Sequence, residues 1–175
     1  EIRDTETLNT SIEAALTGHL LLSTFHANDS ASAIARLVQM GVEPFLIASS
    51  LIGIVAQRLV RTICLSCKEE YTPSPEEMEE LGLTKEEGRN ITLARGKGCL
   101  FCNYTGYTGR TGVFEILRVT KNIRSLINSG ASIDEIRNAA LKEGMKTLFM
   151  NAKEKVLNKI TTIDEMRRVI AWEES

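Results

Sequence analysis

The chain has 175 residues, 43% of them hydrophobic and 25% charged, with a formal charge of −2. That length and balance suit one globular domain or two small ones with a sizeable core. The charge near zero, with no clustered basic-aromatic face, disfavours a dedicated nucleic-acid binder. No apolar h-region follows Glu1-Ile2-Arg3-Asp4, so a secretory leader is not expected. The longest apolar stretch, 45–60, is interrupted by Ser49, Ser50, Gly53, Gln57 and Arg58, too short and polar to span a bilayer. A cytosolic chain is expected, where disulfides are rare.

In chain order, Leu8, Ile12, Ala15 and Leu16 share one helical face, which predicts a helix over 5–16 closed by Gly18. The apolar run 19–25 has the pattern of a buried parallel strand. Asn28 or Asp29 caps a helix carrying Ala33, Ile34, Leu37, Val38 and Met40, and Gly41 stops it. Pro44 opens a further helix expected to run to about residue 60. The middle of the chain is rich in turns, with a short acidic helix over 75–81 and strands at 91–93 and 112–117. From Thr120 the pattern is helical. Ser132 and Glu135 form a capping box, and Thr162 or Asp164 caps the last helix. These shifts divide the sequence into 1–62, 63–118 and 119–175.

All four cysteines fall in two C-x-x-C knuckles, Cys64-Leu65-Ser66-Cys67 and Cys99-Leu100-Phe101-Cys102, separated by 31 residues. Two residues between cysteines let one turn present two thiolates to one ion, and four soft donors suit tetrahedral zinc. A thioredoxin-type redox motif uses one such pair, and paired disulfides suit a secreted chain. Structural Zn2+ on Cys64, Cys67, Cys99 and Cys102 is therefore expected, with no open coordination position for catalysis. The linker is longer than that of a standard zinc ribbon.

The segments Glu1-Ile2-Arg3-Asp4-Thr5-Glu6-Thr7 and Thr17-Gly18-His19-Leu20-Leu21-Leu22-Ser23-Thr24-Phe25-His26-Ala27-Asn28-Asp29 resemble the Walker B and His boxes of the secretion ATPase superfamily. The segments 33–41, 57–61, 102–112, 144–148 and 161–165 are similar to that family as well, so the resemblance covers nearly the whole chain. It points to the branch of the type II secretion ATPase E and the type IV pilus assembly ATPases, which carry the tetracysteine insertion. The pilus retraction ATPases typically lack those cysteines.

The resemblance implies an α/β fold: the C-terminal portion of a RecA-like P-loop ATPase core (1–62), a zinc-binding subdomain (63–118) and a C-terminal helical subdomain (119–175). It implies that Glu1 is the Walker B acid, acting on Mg2+ or the attacking water, and that His19 and His26 form the His box. His26, at the end of its strand, is preferred as γ-phosphate sensor. Among Arg36, Arg58 and Arg61, Arg58 is the candidate for a nucleotide or subunit contact, while Arg110 braces the zinc module. The implied parent is a cytoplasmic homo-hexamer using ATP and Mg2+, docked on inner-membrane platform proteins of a pilus or secretion machine.

No P-loop, G-x-x-x-x-G-K-[ST], occurs in the chain. Its one Gly-Lys pair, Gly96-Lys97, has Ile91 and Gly98 where the motif needs Gly and Ser or Thr. In the family that loop lies upstream of the Walker B box. A C-terminal fragment, inactive alone, is thus expected. The alternative is a non-catalytic zinc-containing module that docks on a membrane platform or a neighbouring subunit.

Overall fold

The structure, a computed structural model, describes residues 1–88 and 91–170. Its elements run α1 (Thr5–Leu16), α2 (Ser30–Gln39), α3 (Pro44–Ser50), β1 (Gly53–Ile63), β2 (Lys68–Tyr71), α4 (Pro75–Glu80), α5 (Lys85–Gly88), β3 (Leu93–Gly96), β4 (Tyr107–Arg118), α6 (Lys121–Asn128), α7 (Ile133–Lys142), α8 (Leu148–Leu157) and α9 (Ile163–Val169). Single 3-10 turns at Leu65–Cys67 and Leu100–Cys102 carry the cysteine knuckles. β1 pairs with β4, and β2 pairs with β3. Among the described residues, no helix is long and apolar enough to cross a membrane.

The chain divides into two compact units, Glu1–Ala56 with Glu115–Thr147, and Gln57–Phe114 with Leu148–Ser175. The helical stretch after Thr120 is thus shared, α6 and α7 in the first and α8 and α9 in the second.

In the first unit the helices begin where side-chain acceptors meet orphan backbone N–H groups. Asp4 caps α1, Asp29 and Ser32 form a capping box on α2, Thr120 caps α6, and Ser132 with Glu135 boxes α7. Their apolar faces meet in one core, with Leu8, Ile34, Ile47, Leu117, Ile123 and Ile136 nearly or fully excluded from water.

Two expectations fail here. The helix expected to run from Pro44 to about residue 60 ends at Ser50, where the Ser49 and Ser50 hydroxyls donate back to the Phe45 and Leu46 carbonyls. Residues 53–63 instead form β1. Ile54, Val55, Val60 and Ile63 are β-branched, which favours extended backbone; Val60 and Ile63 are buried, and β4 supplies the ladder. The strand expected over 19–25 is not formed. Leu20, Leu21 and Leu22 stay in water, Leu22 being 87% exposed, while Phe25 packs against the core. A buried parallel strand needs a paired neighbour and cover on both faces; among the described residues, the backbone bonds given for this run are the His19 N–H to the Ala14 carbonyl and the Ile2 N–H to the Thr24 carbonyl.

In the second unit, Val60, Leu81, Leu93, Val113, Val156, Ile163 and Met166 are fully buried. Glu165 is buried with them and accepts from the Arg61 backbone N–H, the Arg61 guanidinium and the Arg168 guanidinium at 2.6–2.9 Å. Arg61 also stacks over the Tyr107 ring. The strand expected over 91–93 begins at Leu93 and continues to Gly96.

Candidate functional site

The four cysteines converge. Their Sγ atoms all lie within 4.8 Å of one another, and none is in a disulfide. Three of the separations are 3.9 Å (Cys64–Cys99), 3.9 Å (Cys67–Cys102) and 3.7 Å (Cys99–Cys102). A tetrahedron of thiolates about 2.3 Å from a central zinc has edges of about 3.8 Å. The donor set therefore fits that ion in kind and in spacing.

Local structure explains the convergence. β2 starts at Lys68, directly after the first knuckle, and pairs antiparallel with β3 in the register Lys68↔Gly96 to Tyr71↔Leu93. The chain thus returns to the cysteine cluster just before Cys99, and the long linker becomes a hairpin-like excursion containing α4 and α5. Two further bonds lock the knuckles: Cys64 N–H donates to the Gly106 carbonyl (2.9 Å) and Lys97 N–H to the Cys67 carbonyl (3.0 Å). Gly96 and Gly106 meet backbone to backbone; a Cβ on Gly96 would lie 2.1 Å from the Gly106 oxygen.

The second knuckle favours a thiolate. The backbone N–H groups of Cys99 and Gly106 donate to Cys102 Sγ at 3.2 and 3.3 Å. Burial opposes charge on Cys102, but these donors outweigh it and bring the thiol down to about 6. At Cys67 burial dominates and pushes the thiol up to about 12. A dication at the centre would remove that difference by holding all four as thiolates.

At the other candidate position, Glu1 and His26 are brought together. Ile2 and Phe25 pack against the core of the first unit, and the Ile2–Thr24 backbone bond ties the two segments. The two side chains meet at the surface, with His26 Nε2 2.7 Å from Glu1 Oε1. Arg3 also donates to the Glu1 carboxylate; that bond and the His26 contact hold the acid below its ordinary range.

His19 sits elsewhere, its Nδ1 against the Thr17 hydroxyl (3.1 Å) and the Ala14 carbonyl (3.3 Å) at the end of α1. Arg58 lies on β1 in the second unit and donates to the Gln57 carbonyl. Arg36 lies over the Phe25 ring. Two buried acids, Glu115 and Glu165, went unread in the sequence. Nothing in their spacing distinguishes them from the chain's many exposed carboxylates.

Known proteins resemble this chain over nearly its whole length. The family model described as "Type II/IV secretion system protein" matches residues 1–168. The chain is 49% identical over 166 residues to the type IV pilus assembly ATPase PilB of Thermus thermophilus, covering 95% of this chain and 19% of that protein. It is 44% identical over 169 residues to the type II secretion system protein E of Pseudomonas aeruginosa, covering 97% of this chain and 33% of that one. It thus spans between about a fifth and a third of these relatives. The pilus retraction motor PilT, solved with bound ADP, shares the fold at a TM-score of 0.62 and 21% identity, over 96% of this chain and 37% of that one.

Proposed function

The chain belongs to the type II/IV secretion system protein family, and on that premise we propose that it works within an ATP-driven motor for type IV pilus assembly or type II secretion. In this reading the motor is a homo-hexamer at the cytoplasmic side of the inner membrane, held there by platform proteins.

The observation that carries the reading is the 2.7 Å contact between Glu1 and His26. It pairs a hard oxygen donor, suited to Mg2+ or to a water it activates, with an imidazole suited to a terminal phosphate oxygen. Bound MgATP supplies the phosphoryl group; Glu1 orients the metal or the attacking water, and His26 contacts the γ-phosphate. His19, seated at the end of α1, supports the box from a distance, and Arg58 serves a nucleotide or subunit contact. Cys64, Cys67, Cys99 and Cys102 hold a structural zinc that offers no open position to substrate.

The test is steady-state ATP hydrolysis by a full-length protein containing this chain. Glu1→Gln removes the charge and keeps the shape, and kcat is expected to fall by about 100-fold or more. Wild-type turnover in that variant would remove Glu1 from the site.

A second reading, an interaction module, is favoured by one observation. Leu65, Leu100, Phe101 and Tyr104 crown the two knuckles at 71–84% exposure, and adjoining exposed apolar groups mark interaction surfaces. Substituting Leu100 and Phe101 by Ser in the full-length motor is expected to spare ATP hydrolysis in solution and to abolish pilus assembly or secretion in cells. Unchanged assembly and secretion would dismiss this reading.

A further inference from the structure

Glu115 is a carboxylate with 4% exposure in the core of the first unit, and the chemistry above makes no use of it. It lies on β4 and accepts from both the backbone N–H of Ser30 (2.8 Å) and the Ser30 hydroxyl. Ser30 is fully buried and is the first residue of α2. The carboxylate is thus seated on the positive end of a ten-residue helix, where two N-terminal donors and the helix dipole offset the cost of burial.

A second long-range tie lands on the preceding residue. Asp29 caps α2 through Oδ1, which accepts from the Ser32 N–H (2.7 Å), and its Oδ2 accepts from Arg137 Nη2 on α7 (2.9 Å). Partners 85 and 108 residues away in sequence therefore clamp positions 30 and 29. These positions follow His26 by only three and four residues. His26 itself is 80% exposed and held by Glu1 alone among its described ion-pair partners. The backbone on its N-terminal side is tied at Ile2–Thr24.

We propose that Glu115 and Arg137 are positioning residues. They fix the Asp29–Ser30 step, and through it the direction in which His26 leaves the backbone and meets Glu1. The inference rests on the reading of Glu1 and His26 given above. Catalytic groups must be held to about half an ångström by residues whose own conformations are locked. An exposed histidine on an irregular segment gains such precision only from fixed points in the backbone on either side of it.

The test is a double-mutant cycle in the full-length ATPase. Glu115→Ala and Arg137→Gln are each combined with His26→Ala, and kcat and KM for ATP are measured separately. His26→Ala alone is expected to lower kcat. Each latch variant is expected to lower kcat about tenfold with KM changed less than about twofold, and to add almost nothing once His26 is Ala, because residues acting as a unit are non-additive. In the nucleotide-free protein, backbone hydrogen exchange over 26–33 is expected to quicken about tenfold in Glu115→Ala, with exchange in α9 unchanged. Ser30→Ala deletes only the hydroxyl donor and covers the case in which Glu115→Ala fails to fold; a smaller loss of kcat, again absent in the His26→Ala background, is expected.

Losses that add in full in the His26→Ala background, or latch variants with wild-type kcat, overturn the positioning role and leave the reading of His26 standing. If His26→Ala itself keeps wild-type kcat, the reading of His26 falls, and the positioning role falls with it.

Discussion

At the residue scale the cysteines and Glu165 each make a measurable claim. Every thiol of the cluster has another sulfur at 3.7–3.9 Å, so a serine at any one position leaves a three-sulfur site. Metal analysis of the purified protein is expected to give one zinc per chain. That content should fall to a small fraction in Cys64→Ser or Cys102→Ser, because metal affinity in such sites is also folding free energy. Glu165 makes a claim about acid. Burial opposes its charge, but the guanidinium groups of Arg168 and Arg61 prevail and bring its pKa from 4.5 to about 2. A carboxylate depressed by folding stabilises the native state above its unfolded pKa and loses that contribution as pH falls through the folded value. Denaturant midpoints should therefore drop between about pH 5 and pH 2 more steeply in wild type than in Glu165→Gln. At pH 7 that variant is expected to be about 3 kcal/mol less stable, since it leaves two arginines without their shared anion. Parallel pH profiles would show that other carboxylates govern the acid transition.

At the scale of elements, the β2–β3 pair is what makes the knuckles one site. The end of β3 also packs against the residue that precedes β4, through a backbone approach that only glycine permits, at Gly96 against Gly106. Gly96→Ala places a methyl group inside the van der Waals radius of a carbonyl oxygen with no flexible side chain to yield. The end of β3 must move away from residue 106, whose N–H donates to Cys102 Sγ in the second knuckle. A loss of about 3 kcal/mol or more is expected, together with weaker zinc retention in the presence of a chelator; unchanged thermal unfolding would contradict the close approach. The same scale explains why the helix opened by Pro44 ends at Ser50, short of its expected end near residue 60. Phe45, Leu46, Ile47 and Ala48 continue into a stretch whose apolar residues suit a helix face or a strand equally well. The choice is made by β4, 54 residues beyond the start of β1, which offers a ladder that no local signal announces.

At the scale of the whole molecule, the chain carries the Glu1–His26 pair, and its sequence contains no G-x-x-x-x-G-K-[ST] run. Phosphoryl transfer rests on positioning the β- and γ-phosphates and neutralising the charge that develops on them, and here neither the P-loop amides nor its lysine is encoded. The 175-residue chain by itself is expected to hydrolyse ATP at background rate, unchanged by Glu1→Gln or His26→Ala. A rate well above background that falls with either substitution would reveal a nucleotide site of another kind. Chelation is expected to loosen the second unit, seen as faster hydrogen exchange in β2 and β3, while the core around Ile34, Leu117 and Ile123 keeps its protection.

The sequence by itself determined what is local. The caps at Asp29, Ser132 and Thr162 each depend on a side chain reaching a backbone N–H three residues ahead, so spacing alone narrows each to one or two candidates. The cysteine knuckles are legible for the same reason, and so is the family, because its motifs are short runs. Tertiary structure decided what depends on partners far along the chain. Residues 19–25 have the composition of a buried strand, yet 19–24 remain exposed, since strand formation requires neighbours that composition does not supply. Arg61, a candidate for phosphate contact by its chemistry, is committed to Glu165, 104 residues away. Glu115 is an unremarkable acid in the sequence and becomes a buried anchor only when β4 passes the start of α2. Long-range pairings of this kind are selected by packing and by the cost of leaving a charge unpaired in the core, and neither is a property of the residues next to it.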